Sequence, residues 1–280
     1  MRGKLKKLFA AVLAVLLALS FSGCSELTGL DAQALMSPPK TTADREAIYA
    51  LMGGGVGDVT LVYPKCGDYR SAIISRDLDG CGTSEVVSFC ANGDAGGTRL
   101  EFFKKNTDGV WSSMARFTSA ATQVDKVFFG DLTGDGMDEI IVGWGDPLTA
   151  TASVSVYYVD GDTIREFSMT TVSYSEMLLT DFDSDNIKEL FVLQAAQTSG
   201  EEIMALGGLY RFDGDQPYVS KTVPLDAAVT RYTSVSFSQV NSWRRAAVLD
   251  GVKADGHMLT QVIGLSLIHI SEPTRHLRIS

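Results

Sequence analysis

Asp181-Phe-Asp-Ser-Asp-Asn-Ile-Lys-Glu189-Leu-Phe is the stretch that decides the fold, because two earlier stretches repeat its plan. They are Asp131-Leu-Thr-Gly-Asp-Gly-Met-Asp-Glu139-Ile-Ile and Asp77-Leu-Asp-Gly-Cys-Gly-Thr-Ser-Glu85-Val-Val. In each copy a short apolar run ends in an Asp-rich loop, and an acidic residue opens a second apolar run. The first residues of the copies lie 54 and then 50 positions apart. A period near 50 with β-like runs between loops marks an architecture assembled unit by unit.

Working outward from the loops, the flanking patterns read as strands. The first unit has Ser71–Ser75, Glu85–Cys90, Arg99–Lys104 and Val110–Phe117, with Asn106-Thr107-Asp108-Gly109 turning the last pair. The second has Val127–Phe129, Glu139–Trp144, Ser153–Val159 and Thr163–Thr171. The third has Met177–Thr180, Glu189–Gln194, Ile203–Phe212 and Tyr218–Val223. A fourth, degenerate unit begins with Val235–Gln239 and Ala246–Asp250 and runs to about Ile263. Four short antiparallel strands per unit, with the Asp loop between the first two, predict an all-β chain. The expected fold is a β-propeller of four-stranded blades, about three and a half of them present. The blades are placed at about 66–118, 119–172, 173–225 and 226–264, within a domain over 59–264. A stacked solenoid is the other architecture that uses such units. Val59–Tyr63 is expected as a strand at the outer edge of a closing blade. Thr41–Glu46 caps the start of one short helix that ends before Gly53.

The loops carry a metal-binding pattern. Calcium takes six to eight oxygens at about 2.3–2.6 Å. Positions 1, 3 and 5 of such a loop turn side chains inward, position 7 offers a carbonyl, and position 9 closes the cage with a carboxylate. The third loop supplies Asp181, Asp183, Asp185, the Ile187 carbonyl and Glu189. The second supplies Asp131, Thr133, Asp135, the Met137 carbonyl and Glu139, with Gly134 and Gly136 permitting the turn. The first offers Asp77, Asp79 and Glu85 and is the weakest, since Cys81 stands where an oxygen belongs and a thiol suits a hard cation poorly. An EF-hand needs flanking helices and Glu at loop position 12, where this chain has Ser88, Val142 and Val192. Asp and Gly also favour turns without any metal.

These loops resemble the calcium loops of FG-GAP and VCBS-type repeat proteins, over roughly residues 59–264. The chain is also similar to a group of clostridial lipoproteins that join a lipobox, a Ser37–Lys40 segment and a Tyr63–Ser71 run to such repeats. The resemblance implies a propeller with structural calcium, and it implies no particular reaction.

Both ends read as something other than fold. Met1–Lys7 is basic and Leu8–Leu19 is apolar but short of the roughly 20 residues that span a bilayer. Phe21-Ser22-Gly23-Cys24 resembles a lipobox, so residues 1–23 are expected to be a lipoprotein signal peptide and Cys24 the lipidated residue, followed by a tether with a short helix over 24–58. The predicted location is extracytoplasmic, on a bacterial cell membrane held through the lipid. Leu265–Arg275 looks like the conceptual translation of a transposase sequencing adapter, and residues 265–280 are expected to be non-native.

With 1–23 and 265–280 set aside, 18 Lys+Arg face 33 Asp+Glu, about −15. Such a charge disfavours nucleic-acid binding and attracts cations. Cys66, Cys81 and Cys90 then remain, which in an oxidising compartment suggests one disulfide and an odd cysteine.

Two functions are compatible with these features. One is a surface-tethered, calcium-braced module that binds or scaffolds a protein or glycan, with Trp144, Tyr69 and Trp111 as candidate sugar-stacking rings. The other is an extracytoplasmic polysaccharide hydrolase or lyase. The only histidine outside the tail is His257, so a Ser-His-Asp site is disfavoured and the non-enzymatic reading leads.

Overall fold

Strands such as Glu85–Ala91 and Glu189–Leu193 are buried along almost their whole length, so each sheet has two faces to cover, and here consecutive sheets cover one another. The computed structural model describes residues 43–264, apart from 56, 147–150, 170–171, 195–196, 200–201, 205, 215, 226–228, 242–243 and 254. The expected signal peptide, Cys24, most of the tether and the tail over 265–280 lie outside the described residues.

Helix α1, Ala43–Leu51, buries Ile48 and Tyr49. No helix among the described residues is long and apolar enough to cross a membrane. Beyond α1 the chain is built of antiparallel sheets. The first is a meander of β1 (Ile73–Arg76), β2 (Glu85–Ala91), β3 (Thr98–Lys105) and β4 (Trp111–Ser119). The second repeats it with β5 (Gln123–Gly130), β6 (Glu139–Asp146), β7 (Thr151–Asp160) and β8 (Thr163–Glu166), and β9 (Val172–Ser173) also pairs with β7. The third uses β10 (Glu176–Thr180) and β11 (Glu189–Leu193). A separate two-stranded ribbon, β12 (Gln197–Ser199) and β13 (Glu202–Met204), interrupts it before β14 (Leu206–Asp213) and β15 (Gln216–Pro224) complete the sheet. The fourth has three strands, β16 (Val229–Asn241), β17 (Arg244–Lys253) and β18 (Met258–Gly264).

The cores lie between sheets. Val87, Phe89, Leu100 and Phe102 of the first sheet meet Ile140, Val142 and Trp144 of the second. The opposite face of the second, through Ile141, Val154 and Val156, meets Leu190, Val192 and Tyr210 of the third. Phe191, Leu193 and Leu209 in turn meet Ala247, Leu249 and Ile263 of the fourth. The remaining face of the first sheet, with Val86, Cys90 and Phe103, is covered by Ile48 and Met52 from α1 and the residue after it. Arg99 fastens this cover by donating to the Met52 carbonyl at 2.6 Å, while its Nε lies 2.5 Å from the fully buried Glu101.

Four details depart from the sequence-based expectation. Val59–Tyr63 forms no outer strand. Instead Val62 N–H donates to Phe89 O and Ala91 N–H to Thr60 O, which places this segment on the same edge of β2 that β1 occupies further along. The strand expected over Thr163–Thr171 stops at Glu166; Phe167 N–H still donates to Val156 O at 2.9 Å while its ring packs against Tyr158 and Phe212, and β9 pairs further along β7. The strand expected over Ile203–Phe212 is divided between the ribbon and the third sheet. Finally, no disulfide forms among the described residues. Cys90 is buried, Cys81 is exposed and Cys66 is half-buried with all three thiols free, and the Cys66 Sγ is engaged by Asp125 at 3.4 Å.

Candidate metal centres in three Asp loops

Each Asp loop joins the first two strands of its sheet, and strand register sets its ends. Glu85 pairs with Arg76, Glu139 with Gly130 and Glu189 with Thr180, each across from the last residue of the preceding strand. The three glutamates are almost wholly buried, at 4%, 2% and 1% exposure. In every loop the glutamate Oε2 accepts the N–H of position 2: Leu78 at 2.9 Å, Leu132 at 2.6 Å and Phe182 at 2.8 Å. The side chains of those position-2 residues plug the cores between sheets. An apolar pin and a buried carboxylate thus hold each loop from beneath.

The upper half repeats as closely. Positions 4 and 6 are left-handed in all three loops: Gly80 and Gly82, Gly134 and Gly136, then Ser184 (φ 69°) and Asn186 (φ 73°). This twist aims backbone N–H groups at the first aspartate. Asp131 accepts from Gly134 at 2.6 Å and Gly136 at 2.9 Å, Asp181 from Ser184 at 2.5 Å and Asn186 at 3.1 Å, and Asp77 from Gly82 at 2.8 Å. Asp135 and Asp185 each accept the N–H two residues on, from Met137 and Ile187, at 2.8 Å.

Loop by loop the donor sets differ. Asp181, Asp183 and Glu189 bring one ligand atom each within 4.8 Å of one another, as do Asp77, Asp79 and Cys81. Asp185 and Glu85 stand outside these groups. Among the described residues, Asp131, Asp135 and Glu139 of the second loop form no such group. Burial pushes the carboxyl groups of Glu139 and Glu189 up to about 7, partly offset by the backbone N–H groups they accept. It raises Glu85 as well. Asp79 is held below its ordinary value, first by its hydrogen bond with the Cys81 side chain.

Two oxygens bear on whether a hard cation suits these loops. Thr133 Oγ1, at position 3 of the second loop, and Asp77 Oδ1, at position 1 of the first, are buried with no hydrogen-bond partner. Unpaired buried oxygens are costly and call for a donor, a water or an ion. Each of the first two loops thus keeps an unpartnered oxygen of the kind a hard cation takes, although the second-loop carboxylates do not converge on one another and the first loop carries the Cys81 sulfur. In the third loop the Arg211 guanidinium already bridges Asp183 and Glu189. Nothing in the spacing of the loop motif pointed to Arg211; only cross-strand register brings it there.

The other candidate residues separate. Trp144 is 3% exposed and meets Phe89 edge-on. Tyr69 stands edge-on to Phe129 at 4.7 Å and its hydroxyl accepts from Arg76. Trp111 is half-buried, packed against the core beneath α1 with Lys105 Nζ 5.1 Å over its ring. Trp144 is therefore a core ring, while Tyr69 and Trp111 are half-buried. His257 is exposed and faces Asp255 at 3.1 Å. No protein-family model matches the chain, and no curated protein matches it either.

Proposed function

We propose that this chain is a calcium-braced repeat protein of the β-propeller type, tethered outside the cytoplasm through Cys24, and that it works as a binding or scaffolding module. The observation that carries the reading is the orphaned Thr133 Oγ1, set in a loop with Asp131, Asp135 and Glu139. Calcium bound there would satisfy that oxygen and neutralise carboxylates that the fold buries. Asp131, Thr133, Asp135 and Glu139, with the Met137 carbonyl, would hold the ion in the second loop. Asp77 and Asp79 would do so in the first, and Asp181, Asp183, Asp185, the Ile187 carbonyl and Glu189 in the third. An ion at each loop would tie the first two strands of a sheet together and add no chemistry of its own.

Face-to-face packing of successive sheets, with outer strands β4 and β8 in contact and inner strands β10 and β16 in contact, is what neighbouring blades require. The cover that α1 places on the first sheet supports a second architecture. In a closed ring that face would pack against the last blade, whereas a capped, open stack uses an end piece of this kind.

The test is thermal melting of the purified protein in millimolar calcium and without it. A rise of several degrees that Asp131→Ala removes is the expected result, because a ligand bound only by the native state stabilises it. Superimposable curves would mean that the loops are turns and nothing more.

A further inference from the structure

The three loops are equivalent in backbone but not in what stands beside them. Strand register defines the neighbour. Phe103 pairs with Val86, Tyr157 with Ile140 and Tyr210 with Leu190, each opposite the residue after the loop glutamate. The next residue along the third strand is therefore Lys104, Tyr158 or Arg211. Lys104 is drawn away to Asp162 of the next sheet. Tyr158 carries no charge and stacks on Phe167 at 4.4 Å. Arg211 alone turns into its loop, where one nitrogen reaches both Asp183 and Glu189. Glu189 is 1% exposed, so that end of the contact is made out of water, while the Asp183 end reaches solvent. A guanidinium is more weakly hydrated than an ammonium, so it sits against a buried carboxylate at lower cost.

We propose that Arg211 is the built-in counter-cation of the third Asp loop, so that a divalent cation enters this loop only by displacing the guanidinium, while the second loop is open to calcium directly. The proposal rests on the calcium reading of the loops and reverses the ranking that motif completeness alone implies. The loop richest in carboxylates binds more weakly than the second, because the ion must compete with a tethered cation. The fold supplies that competitor at no cost in diffusion, and its effective concentration beside Asp183 and Glu189 is high. Arg211 also keeps one nitrogen, Nε, buried without a partner, so its bound pose is incompletely satisfied and can be displaced.

Calcium titration of the intact protein by calorimetry, with Asp131→Ala and Asp181→Ala to assign the sites, decides the matter. Arg211→Gln should tighten the Asp181-dependent site about tenfold or more, with the Asp131-dependent site unchanged. Arg211→Lys keeps the charge but ends it in a more strongly hydrated ammonium on a shorter stem, and should tighten the same site to a smaller degree, which keeps the test open if the glutamine variant fails to fold. If the Asp131-dependent site is present and neither Arg211 variant tightens the third, this inference is wrong and the calcium reading stands. If no variant and no wild-type site takes up calcium, both are wrong.

Discussion

The backbone N–H of Lys188 donates to the carbonyl of Asp131 at 2.8 Å, so the third Asp loop is stitched to the second. One period earlier, Asp138 N–H donates to the Leu78 carbonyl at 3.0 Å, and Arg76 closes on the Asp138 carboxylate. The loops thus form a chain in which the second half of each leans on the first half of its predecessor. Bracing one loop braces its neighbour.

That contact makes two glycines of the second loop respond differently. Both are left-handed, Gly134 at φ 82° and Gly136 at φ 86°. A Cβ on Gly134 would sit 2.7 Å from Ile187 Cδ1 of the next loop, whereas on Gly136 it meets nothing within 4 Å. Gly136→Ala should cost about 1–2 kcal/mol, the left-handed penalty alone. Gly134→Ala should cost more and should perturb the third loop as well. Equal losses in denaturant unfolding would refute the coupling.

Ser184 occupies the corresponding left-handed position in the third loop without being glycine. Ser184→Gly should therefore stabilise the protein, by roughly 0.5–1 kcal/mol after glycine's own entropy cost. A lower melting temperature for this variant would show that the hydroxyl has a role the backbone does not reveal.

Burial raises the Glu139 carboxyl from its ordinary 4.5 to about 7 in the metal-free fold. A raised folded value means that the group's contribution is fully present below its unfolded value and is lost as pH rises through about 7. Calcium-free protein should accordingly melt lower at pH 8 than at pH 5 on this group's account. Glu139→Gln should flatten the difference, and saturating calcium, which favours the charged carboxylate, should shrink it. An unchanged slope in Glu139→Gln would assign the effect elsewhere.

The three thiols should separate in alkylation. Cys81 is exposed and Cys90 is buried. Burial first, then the nearby Asp125 charge, push the half-buried Cys66 thiol up to about 11. At pH 8 little Cys66 is thiolate, so Cys81 should label first, Cys66 slowly and Cys90 only on unfolding. Mass-spectrometric mapping that found Cys66 fastest would contradict the Asp125 contact.

Among the described residues, helix α1 and the residues just after it cover the far face of the first sheet. Met52 is 1% exposed and Ile48 2%. Met52→Ala should cost about 2–5 kcal/mol, as for other buried large-to-small changes. It should also raise hydrogen exchange in β2 and β3 before it does so in the fourth sheet. Uniform loss across all sheets would show that the array unfolds as one unit rather than from its end.

Much of this was legible in the chain itself. Short apolar runs bounded by turn residues located most strands, because those signals lie in a few consecutive residues. The fold's breaks were not legible. Phe167, just past the end of its strand, packs on Phe212 in the next sheet, and Val59–Tyr63 chooses β2 as a partner. Both outcomes depend on residues distant in sequence. Likewise the pattern placed every loop carboxylate but could not tell a buried carboxylate from a solvated one.

The sequence by itself determined the loops: their acidic residues, their glycine-bearing left-handed positions and their recurrence, all properties of a few consecutive residues. Tertiary structure alone decided what each loop faces. Arg211 against Glu189, Tyr158 against Phe167 and Lys104 against Asp162 arise from cross-strand register and from the packing of one sheet on the next. The local pattern that builds each strand is indifferent to which charge will stand beside it, because that neighbour is chosen by register and packing rather than by adjacent residues.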